Sequence, residues 1–453
     1  GFDAHYAPAY YEDTDLAFAV RAAGLKVFYE PGAVVVHFEG ITSGTDTGSG
    51  IKRYQVVNRE KFVEKWKDAL ARQPTPIHDV RLAEAAANWR VRGHILIVDS
   101  YTPTPDQDSG SLRMINLMRI LRGLRYAVSF LPENHAHAGK YTQALQALGV
   151  QALYHPFVPN AVAWLRDHGR ALDAIILSRH YVASNYVGLA RLYASQAKLI
   201  FDTVDLHYLR EERAAALENK PELARHAART KLQELKLMRE CDVTLVVSAV
   251  ERELLARELP DARVEILSNV HAVHGRRRGF DERHDLVFVG GFEHPPNIDA
   301  VRWFVREIFP KVRAAKPQIT FHLIGSKAPR QVLELAGDGV IVHGYVEDIA
   351  PFMDDCRLSI APLRYGAGVK GKVNMAMSYG LPVVATHVAV EGMHVRAGVD
   401  VMVADDADAF AAAILRAYDD ATLWKTLSDN GLANVRQHFS FDAARAAIER
   451  ILG

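Results

Sequence analysis

From residue 93 onwards, short runs of apolar residues alternate with longer segments whose apolar residues recur every three or four positions. Short apolar runs are typical of buried parallel strands, and the longer period is typical of amphipathic helices. Seven strands are predicted first, at 94–99, 128–131, 152–154, 174–177, 199–202, 243–247 and 264–267. Six more are predicted at 286–289, 321–324, 340–342, 358–361, 383–385 and 401–403. The pattern therefore predicts two doubly wound α/β domains, each with a parallel sheet between layers of helices.

Breaks in this pattern divide the chain. Predicted boundaries are 1–72 for a separate piece, 73–92 for a linker, 93–273 and 285–439 for the two α/β domains, and 440–453 for a helix crossing back to the first of them. The first piece is predicted to hold a helix at 16–23 and a strand pair at 26–29 and 33–37, and the linker a helix at 82–89. One long helix is predicted at 210–239, and 274–284 is a basic, polar hinge.

Composition excludes several classes of protein. Lys plus Arg and Asp plus Glu both number 54, so the bulk charge does not indicate a nucleic-acid partner. No apolar run approaches the roughly 18 residues of a membrane span, and no signal peptide is recognisable. Cys241 and Cys356 are expected to be buried and reduced, as in a cytosolic protein. Because residue 1 is Gly, the chain is expected to begin inside a longer protein.

The strongest chemical signal is a glycine-rich turn after the strand 358–361. Gly366 and Gly368 are followed by Lys370 and Lys372, and a short helix is predicted at 373–379. Glycines allow close backbone approach to a ligand, helix N-termini attract anions, and lysines add positive charge. This combination predicts a phosphate or diphosphate site, to which Arg364 is a further candidate.

Two other readings of this turn remain open. Gly366, Gly368 and Gly371 match the dinucleotide-binding fingerprint, and Glu391 follows Gly371 by 20 residues. However, residues 362–365 separate the strand from the first glycine, and Glu391 lies beyond the end of the next strand, not at its tip. The glycines could also serve only a structural turn.

Several segments resemble a family 4 glycosyltransferase of the GT-B fold over residues 93–453. The matching segments are 102–113, 201–207, 289–297, 344–348 and 361–368. The resemblance implies transfer of a sugar from a nucleotide diphosphate sugar to an acceptor hydroxyl, with retention and without a bound metal or other cofactor. The donor-binding candidates are Gly291, Asn297, Arg364, Gly366, Gly368, Lys370, Lys372 and Glu391.

The sequence departs from the family where many members carry two glutamates separated by seven residues. Those places correspond to Ala367 and Met375, and a methionine cannot hold the ribose hydroxyls of a donor. Asn374, a backbone group or Glu391 would have to replace it, or nucleotide binding is weak. Glu391 could equally be a solvated loop acid.

Asp205 and His207 follow the strand 199–202 and are the candidate catalytic residues. His207 could hydrogen-bond the transferred sugar or merely pack on the long helix, and Asp205 could simply cap that helix. Ser109, Gly110 and Ser111 precede a predicted helix and could bind an acceptor or a phosphate, or act only as caps. The expected partners are a nucleotide-sugar donor and a glycan or lipid-linked acceptor. The expected location is the cytoplasm, where peripheral association with the inner membrane face is compatible with such an acceptor.

Residues 1–72 resemble the C-terminal end of a family 2 glycosyltransferase of the GT-A fold. Glu12 and Asp13 match the acidic pair that activates an acceptor hydroxyl, and His37 matches a histidine that assists the metal-diphosphate. The half that would hold the nucleotide and metal is absent, so this piece is expected to be inactive here. Alternatively, its acids only offset a helix dipole.

Three functions are therefore open. The first is a retaining glycosyltransferase of surface glycan biosynthesis. The second, favoured by Ala367 and Met375, is a catalytically silent nucleotide-sugar-binding or scaffold module. The third is an epimerase of similar fold.

Overall fold

The computed structural model describes residues 1–25, 27, 33–36, 46–74 and 90–453. The chain divides into two compact units, Gly1–Trp89 and Arg90–Gly453. His37, the predicted helix at 82–89 and residues 26, 28 and 29 of the predicted strand pair lie outside the described residues. Residues 33–36 adopt no regular structure.

The regular structure described in the first unit is helical. Its helices are Glu12–Ala22, Tyr54–Lys65 and Lys67–Leu70, with short 3-10 turns at Ala4–Tyr6 and Ile51–Arg53. Phe62 is buried and packs its ring against those of Tyr11 and Phe18, with centroids 5.3 and 5.1 Å away. Buried Asp15 accepts hydrogen bonds from the Tyr6 hydroxyl at 3.0 Å and the Trp66 indole at 2.7 Å, so the helices share a polar contact as well.

The second unit begins with a seven-stranded parallel sheet. Its strands are β1 (Gly93–Asp99), β2 (Tyr126–Pro132), β3 (Gln151–Ala152), β4 (Ala174–Ser178), β5 (Lys198–Asp202), β6 (Val243–Val246) and β7 (Val264–Ile266). They run in the order β3-β2-β1-β4-β5-β6-β7. All seven predicted strands are present, although β3 ends earlier than predicted.

Helices cover both faces of this sheet. They are Ser109–Gly123, Lys140–Ala147, Ala161–His168, His180–Tyr193, His207–Glu218, Pro221–Glu240 and Ala249–Glu258, with a 3-10 turn at Gly169–Ala171. The prediction of a single helix at 210–239 is wrong, because the chain forms two helices there, which are separated at Asn219 and Lys220. Asn219 ends the first in the left-handed region at φ 52°, and Pro221 opens the second, where its missing N–H costs no helical bond.

A second parallel sheet of six strands follows. Its strands are β8 (His284–Val289), β9 (Phe321–Ile324), β10 (Val340–Gly344), β11 (Cys356–Ala361), β12 (Val383–Ala385) and β13 (Met402–Val403), in the order β10-β9-β8-β11-β12-β13. Its helices are Pro295–Trp303, Phe309–Ala315, Arg330–Leu333, Ala350–Asp355, Gly371–Ser378, His387–Val390, Ala407–Asp419 and Ala421–His438, with a π-helical stretch at Phe304–Ile308 and a 3-10 turn at Phe280–Glu282. The prediction of two parallel-sheet α/β domains is therefore confirmed.

The last helix, Phe441–Leu452, packs on the first α/β domain. Its side chains Ala444, Ile448 and Ile451 are buried in the hydrophobic core of this domain, together with residues of the helix Ser109–Gly123. Lys198 at the start of β5 also donates to the Ile451 carbonyl at 3.0 Å. The final helix therefore ties the end of the second domain back to the first.

Strand order determines where a ligand would bind. In each sheet the order reverses beside the first strand, between β1 and β4 and between β8 and β11. Loops that leave the carboxyl ends of strands at such a point diverge and leave a crevice, where open α/β sheets bind ligands. Among the described residues, no helix is both long and apolar enough to span a bilayer.

Candidate active site

The glycine-rich turn after β11 lies against the first α/β domain. Gly368 has φ of +68°, and a Cβ there would lie 3.0 Å from the Asp205 Cβ and 3.2 Å from the Val247 Cγ2. A larger residue would be strained by the backbone angle and would push against a neighbour. Gly368 therefore permits a contact between the turn and the domain that carries Asp205.

Of the two predicted lysines at this turn, Lys370 is buried and Lys372 is half-buried. The Lys370 ammonium donates to the Ala367 carbonyl at 2.9 Å and the Gly368 carbonyl at 2.5 Å. The Lys372 ammonium donates to the Asn297 Oδ1 and lies 4.1 Å from the centroid of the Phe288 ring. Within the described part of the chain, neither ammonium forms an ion pair with a carboxylate. Burial lowers the pKa of Lys370 to about 8 and that of Lys372 to about 7.

Asn297 connects Lys372 to the loop after β8. Its Nδ2 donates to the Gly291 carbonyl at 2.7 Å, while its Oδ1 accepts from Lys372. A Cβ at Gly291 would lie 3.1 Å from the Gln107 carbonyl oxygen of the first domain. The structure thus brings Gly291, Asn297 and Lys372 together.

Arg213 reaches across from the first domain and was not predicted. Its Nη1 donates to the Gly366 carbonyl at 2.6 Å, and its two Nη atoms donate to Glu391 at 2.6 and 2.8 Å. The side chain therefore joins the glycine turn to the loop after β12. Arg210 and Arg213, three positions apart on one helix face, were the available signal.

Asp205 and His207 lie in the turn that follows β5. The His207 Nδ1 is 3.1 Å from the Asp205 carbonyl, which can only accept, so Nδ1 carries the proton and Nε2 keeps its lone pair. Burial lowers the pKa of His207 to about 4, which leaves the ring neutral at pH 7. Burial disfavours the Asp205 carboxylate, but the contacting Arg210 guanidinium and nearby histidines outweigh it and hold its pKa below the ordinary value.

The prediction that Asp205 could cap the following helix is wrong. The helix His207–Glu218 has Leu206 at its N-cap position, and no side chain caps it from there. Its first N–H groups are bound instead by Glu234 and Glu251, which come from two other helices. Asp205 is consequently available to Arg210.

Two aromatic residues that the sequence did not single out border His207. The His180 and Tyr181 rings have centroids 4.9 and 6.2 Å from that of His207. Both residues follow the carboxyl end of β4, the sheet neighbour of β5. Adjacent parallel strands end at the same edge of the sheet, and this was the signal that could have found them.

Ser109, Gly110 and Ser111 do not precede a helix as predicted, because they form its first turn. The N-cap is Asp108, whose carboxylate accepts from the Ser111 N–H at 2.8 Å and from the Ser111 hydroxyl at 2.6 Å. Ser109 lies against the second domain, since a Cβ at Gly371 would be 2.4 Å from the Ser109 Cβ. The helix predicted to begin at 373 likewise begins earlier, at Gly371.

The remaining donor-binding candidates, Arg364 and Glu391, are both paired with charged side chains of this protein. Arg364 is paired with Asp299, to which its Nε donates at 2.9 Å. Ala367 is buried, and half-buried Met375 packs on the core of the second domain, so neither offers a polar group. Glu391 is the carboxylate that most strongly opposes the lowering of the Lys370 pKa.

In the first unit, Glu12 and Asp13 begin the helix Glu12–Ala22. Tyr10 and Tyr11 before it have φ of 75° and 74°, and Asn58 Nδ2 holds their turn by donating to the Tyr10 carbonyl at 3.2 Å. Asp13 lines an open cavity of about 610 Å³ with Tyr10, Tyr11, Thr14, Gln55, Val56 and Arg59. Consecutive left-handed non-glycine residues are unusual and occur most often at functional sites.

Comparison with known proteins identifies a family match within the second α/β domain. Residues 283–420 match the family model described as Glycosyl transferases group 1. These residues form a glycosyltransferase domain. A Klebsiella pneumoniae protein, the uncharacterized 44.6 kDa protein in the cps region, is 23% identical over 164 residues, 34% of this chain. The match spans 42% of the length of that relative.

Solved structures extend the likeness in fold to both α/β domains. Anabaena HepE, crystallised with UDP and glucose, aligns with a TM-score of 0.59 at 16% identity, over 79% of this chain and 98% of its own. A mutant of S. aureus TarM, in complex with Fondaparinux, alpha-GlcNAc-glycerol and UDP, aligns with a TM-score of 0.64 at 10% identity, over 80% of this chain and 100% of its own. The two α/β domains therefore have the GT-B architecture.

Across the described ranges, no group of three or more His, Cys, Asp or Glu side chains is arranged to hold a metal ion.

The lowered pKa values of Lys370 and Lys372 predict that the free energy of unfolding depends on pH in an unusual way. The pKa of Lys372 is about 7 in the folded protein and roughly 10.4 when unfolded, so between these values the unfolded state binds more protons. This group therefore destabilises the fold most below pH 7, and its contribution improves by up to roughly 1.4 kcal/mol per pH unit above it. We expect Lys372→Met to be more stable than the parent at pH 6.5, with the difference shrinking by pH 9.

Urea unfolding of both proteins at four pH values measures this difference. Lys425→Met, which removes an exposed lysine, is the matched control and should show a difference that hardly changes with pH. If the stability difference between Lys372→Met and the parent were also independent of pH, the assignment of Lys372 as a desolvated amine would be contradicted.

Proposed function

We propose that residues 93–453 transfer a sugar from a nucleotide diphosphate sugar to a hydroxyl of a glycan or lipid-linked acceptor. The transfer retains the anomeric configuration, uses no bound metal and belongs to polysaccharide or surface glycan biosynthesis. The observation that carries the proposal is the pair of ammonium groups of buried Lys370 and half-buried Lys372, which lie beside a glycine turn at a helix N-terminus and form no ion pair with a carboxylate of the described residues.

The electrostatics of the turn suit a diphosphate leaving group. Two desolvated cations are costly alone, and an anion between them and the first N–H groups of the helix Gly371–Ser378 would offset that cost. As the sugar departs, negative charge grows on the diphosphate, and fixed donors in a site with little water stabilise that charge most strongly. Lys370 and Lys372 would therefore act on the departure of the leaving group as well as on binding.

Groups from the first domain would meet the sugar. Neutral His207 presents an Nε2 acceptor, which can bind a sugar hydroxyl without placing a positive charge beside the developing oxocarbenium centre. Asp205 remains ionised beside Arg210 and can favour that positive centre electrostatically. We assign to both residues the stabilisation of the reacting sugar.

Known proteins support the class of substrate. HepE was crystallised with UDP and glucose, TarM with UDP and a GlcNAc-glycerol, and the Klebsiella relative lies in a cps region. We accordingly propose a UDP-sugar as the first donor to test, a cytoplasmic location and an acceptor presented at the inner face of the membrane.

A second candidate function rests on a specific observation. Ala367 and Met375 offer no carboxylate to the donor, which favours a nucleotide-sugar-binding module without activity. An epimerase of the same fold is a third candidate. Incubation with a panel of nucleotide sugars, followed by NMR of the products, separates the three: a transferase releases nucleoside diphosphate, an epimerase changes only the sugar, and a silent module changes nothing.

Replacement of Lys372 tests the donor site. Charged hydrogen bonds contribute about 1.5–3 kcal/mol, so Lys372→Ala or Lys370→Ala should weaken UDP binding roughly tenfold or more. Isothermal titration calorimetry measures the affinity, with Lys425→Ala as the control for a lysine outside the site. Unchanged affinity in both site variants would refute the assignment.

Replacement of His207 tests the reacting side of the cleft. His207→Ala should lower the turnover of UDP-glucose roughly 10- to 100-fold or more, because an interaction with the reacting sugar is lost. The affinity for UDP should stay close to that of the parent, since the nucleotide is held from the other domain. Turnover and affinity falling together would mean that His207 only supports the fold.

We propose that residues 1–72 contribute a GT-A acceptor site, with Glu12 and Asp13 as its acidic pair. A general base can activate an acceptor hydroxyl, but transfer requires the donor's electrophilic carbon to lie within about 3–3.5 Å of that hydroxyl oxygen. Without a bound donor, the base therefore supports no transfer. Asp13→Ala should therefore leave UDP-glucose turnover by this chain unchanged, measured with circular dichroism as a check on folding. A clear loss of turnover in a folded Asp13→Ala protein would place part of the chemistry in the first unit.

A further inference from the structure

The turn that presents Asp205 and His207 has an unfavourable backbone conformation. Val204 has φ of +66°, a region that β-branched residues rarely adopt. Such a residue persists only where the surrounding structure determines it. Contacts that hold this turn are therefore needed to keep Asp205 and His207 in place.

Two buried glutamates supply those contacts. Glu251 accepts from the Leu206 N–H at 3.3 Å and the Val247 N–H at 3.1 Å. Glu234 accepts from the His207 N–H at 3.2 Å and the Tyr208 N–H at 3.0 Å. Their exposed fractions are 2% and 0%. The helix His207–Glu218, which has no side-chain cap of its own, is thus held at its start by the helices Ala249–Glu258 and Pro221–Glu240.

The chemistry of these contacts requires carboxyl groups. Each glutamate binds two backbone N–H groups, one on each oxygen, and both oxygens keep a lone pair in either protonation state. An amide nitrogen has no lone pair to offer, so glutamine would leave one N–H group facing another donor. Within the described part of the chain, neither glutamate forms an ion pair with lysine or arginine, so the N–H groups are their main compensation for burial.

We propose that Glu234 and Glu251 are positioning residues that fix the turn 204–208 and thereby direct His207 and Asp205 into the donor cleft. This inference rests on the proposed function, because it assigns these glutamates a part in the same reaction. Glu234 also lies 3.6 Å from the His207 Nδ1, whose proton is already directed to the Asp205 carbonyl. A displaced turn would alter that hydrogen bond before any substrate binds.

Glu258 provides a matched control on the same helix as Glu251. Its carboxylate accepts from the Tyr208 hydroxyl at 2.7 Å and the Lys231 ammonium at 2.6 Å. It therefore holds the helix His207–Glu218 through a side chain and leaves the backbone of the turn untouched. Glu258→Gln should perturb stability without moving His207.

The first readout needs no substrate. In protein labelled with ¹⁵N-histidine, the two ring nitrogens of His207, assigned by their loss in His207→Gln, report at pH 7 which nitrogen carries the proton. The parent and Glu258→Gln should show a single tautomer protonated at Nδ1. Glu234→Gln and Glu251→Gln should shift the His207 signals or show a mixture of tautomers.

The second readout is the split between turnover and binding. With UDP-glucose as the probe, Glu234→Gln and Glu251→Gln should lower kcat about tenfold or more, while the Kd for UDP changes less than about threefold. Equal losses in Glu258→Gln, or unchanged His207 signals in folded Glu234→Gln, would overturn the proposal. If Glu234→Gln does not fold, Glu234→Asp, which keeps both oxygens on a shorter side chain, replaces it and is held to the same outcomes.

The two readouts separate this inference from the proposed function. If the parent turns over no nucleotide sugar, the proposed function fails, while the His207 signals still decide whether the glutamates place the ring. If the parent is active and the His207 signals are unchanged in every glutamate variant, only the positioning role fails.

Discussion

A buried ion pair under the first sheet holds the ends from which the site is built. Arg113 donates to both oxygens of Asp202, at 2.7 and 3.0 Å, and to the Leu267 carbonyl at 2.9 Å. The Asp202 backbone carbonyl also accepts the N–H of Arg179 at 2.9 Å. Loss of either charge would leave the other buried and unpaired, which typically costs about 3–5 kcal/mol. One guanidinium thus links the ends of β5 and β7, and a backbone hydrogen bond joins the end of β4 to β5. The turn with Asp205 and His207 starts there.

Close contact between the two domains completes the site. Glycines 291, 368 and 371 allow loops of the second domain to approach Gln107, Asp205 and Ser109 of the first. Arg213 spans the same boundary to Gly366 and Glu391. The site is therefore a property of the closed pair of domains, and the last helix, which returns to the first domain, helps to hold them together.

Desolvated charge concentrates at this boundary. Buried Lys370 and half-buried Lys372 donate to neutral acceptors, and buried Glu234 and Glu251 accept from backbone N–H groups. A fold selected for stability alone would have apolar groups at such positions, because burying unpaired charge is costly. Local violations of this kind are expected where a protein binds or reacts. The two lysines lie at the glycine turn, and the two glutamates bind the backbone of the turn 204–208.

The pattern of apolar residues by itself determined both sheets, because parallel strands buried on both faces must be short apolar runs. The residue types of the glycine turn itself predicted Lys370 and Lys372 as a local anion site, whereas Asn297 was implied by the family resemblance and contacts Lys372 only through the fold. Tertiary structure alone decided the roles of Arg213, Glu234 and Glu251. Each is an ordinary charged residue on a helix, and each has a hydrogen-bond partner between 26 and 178 positions away. Such pairings depend on how helices pack on the sheet, and a sequence pattern that extends only a few residues does not encode them.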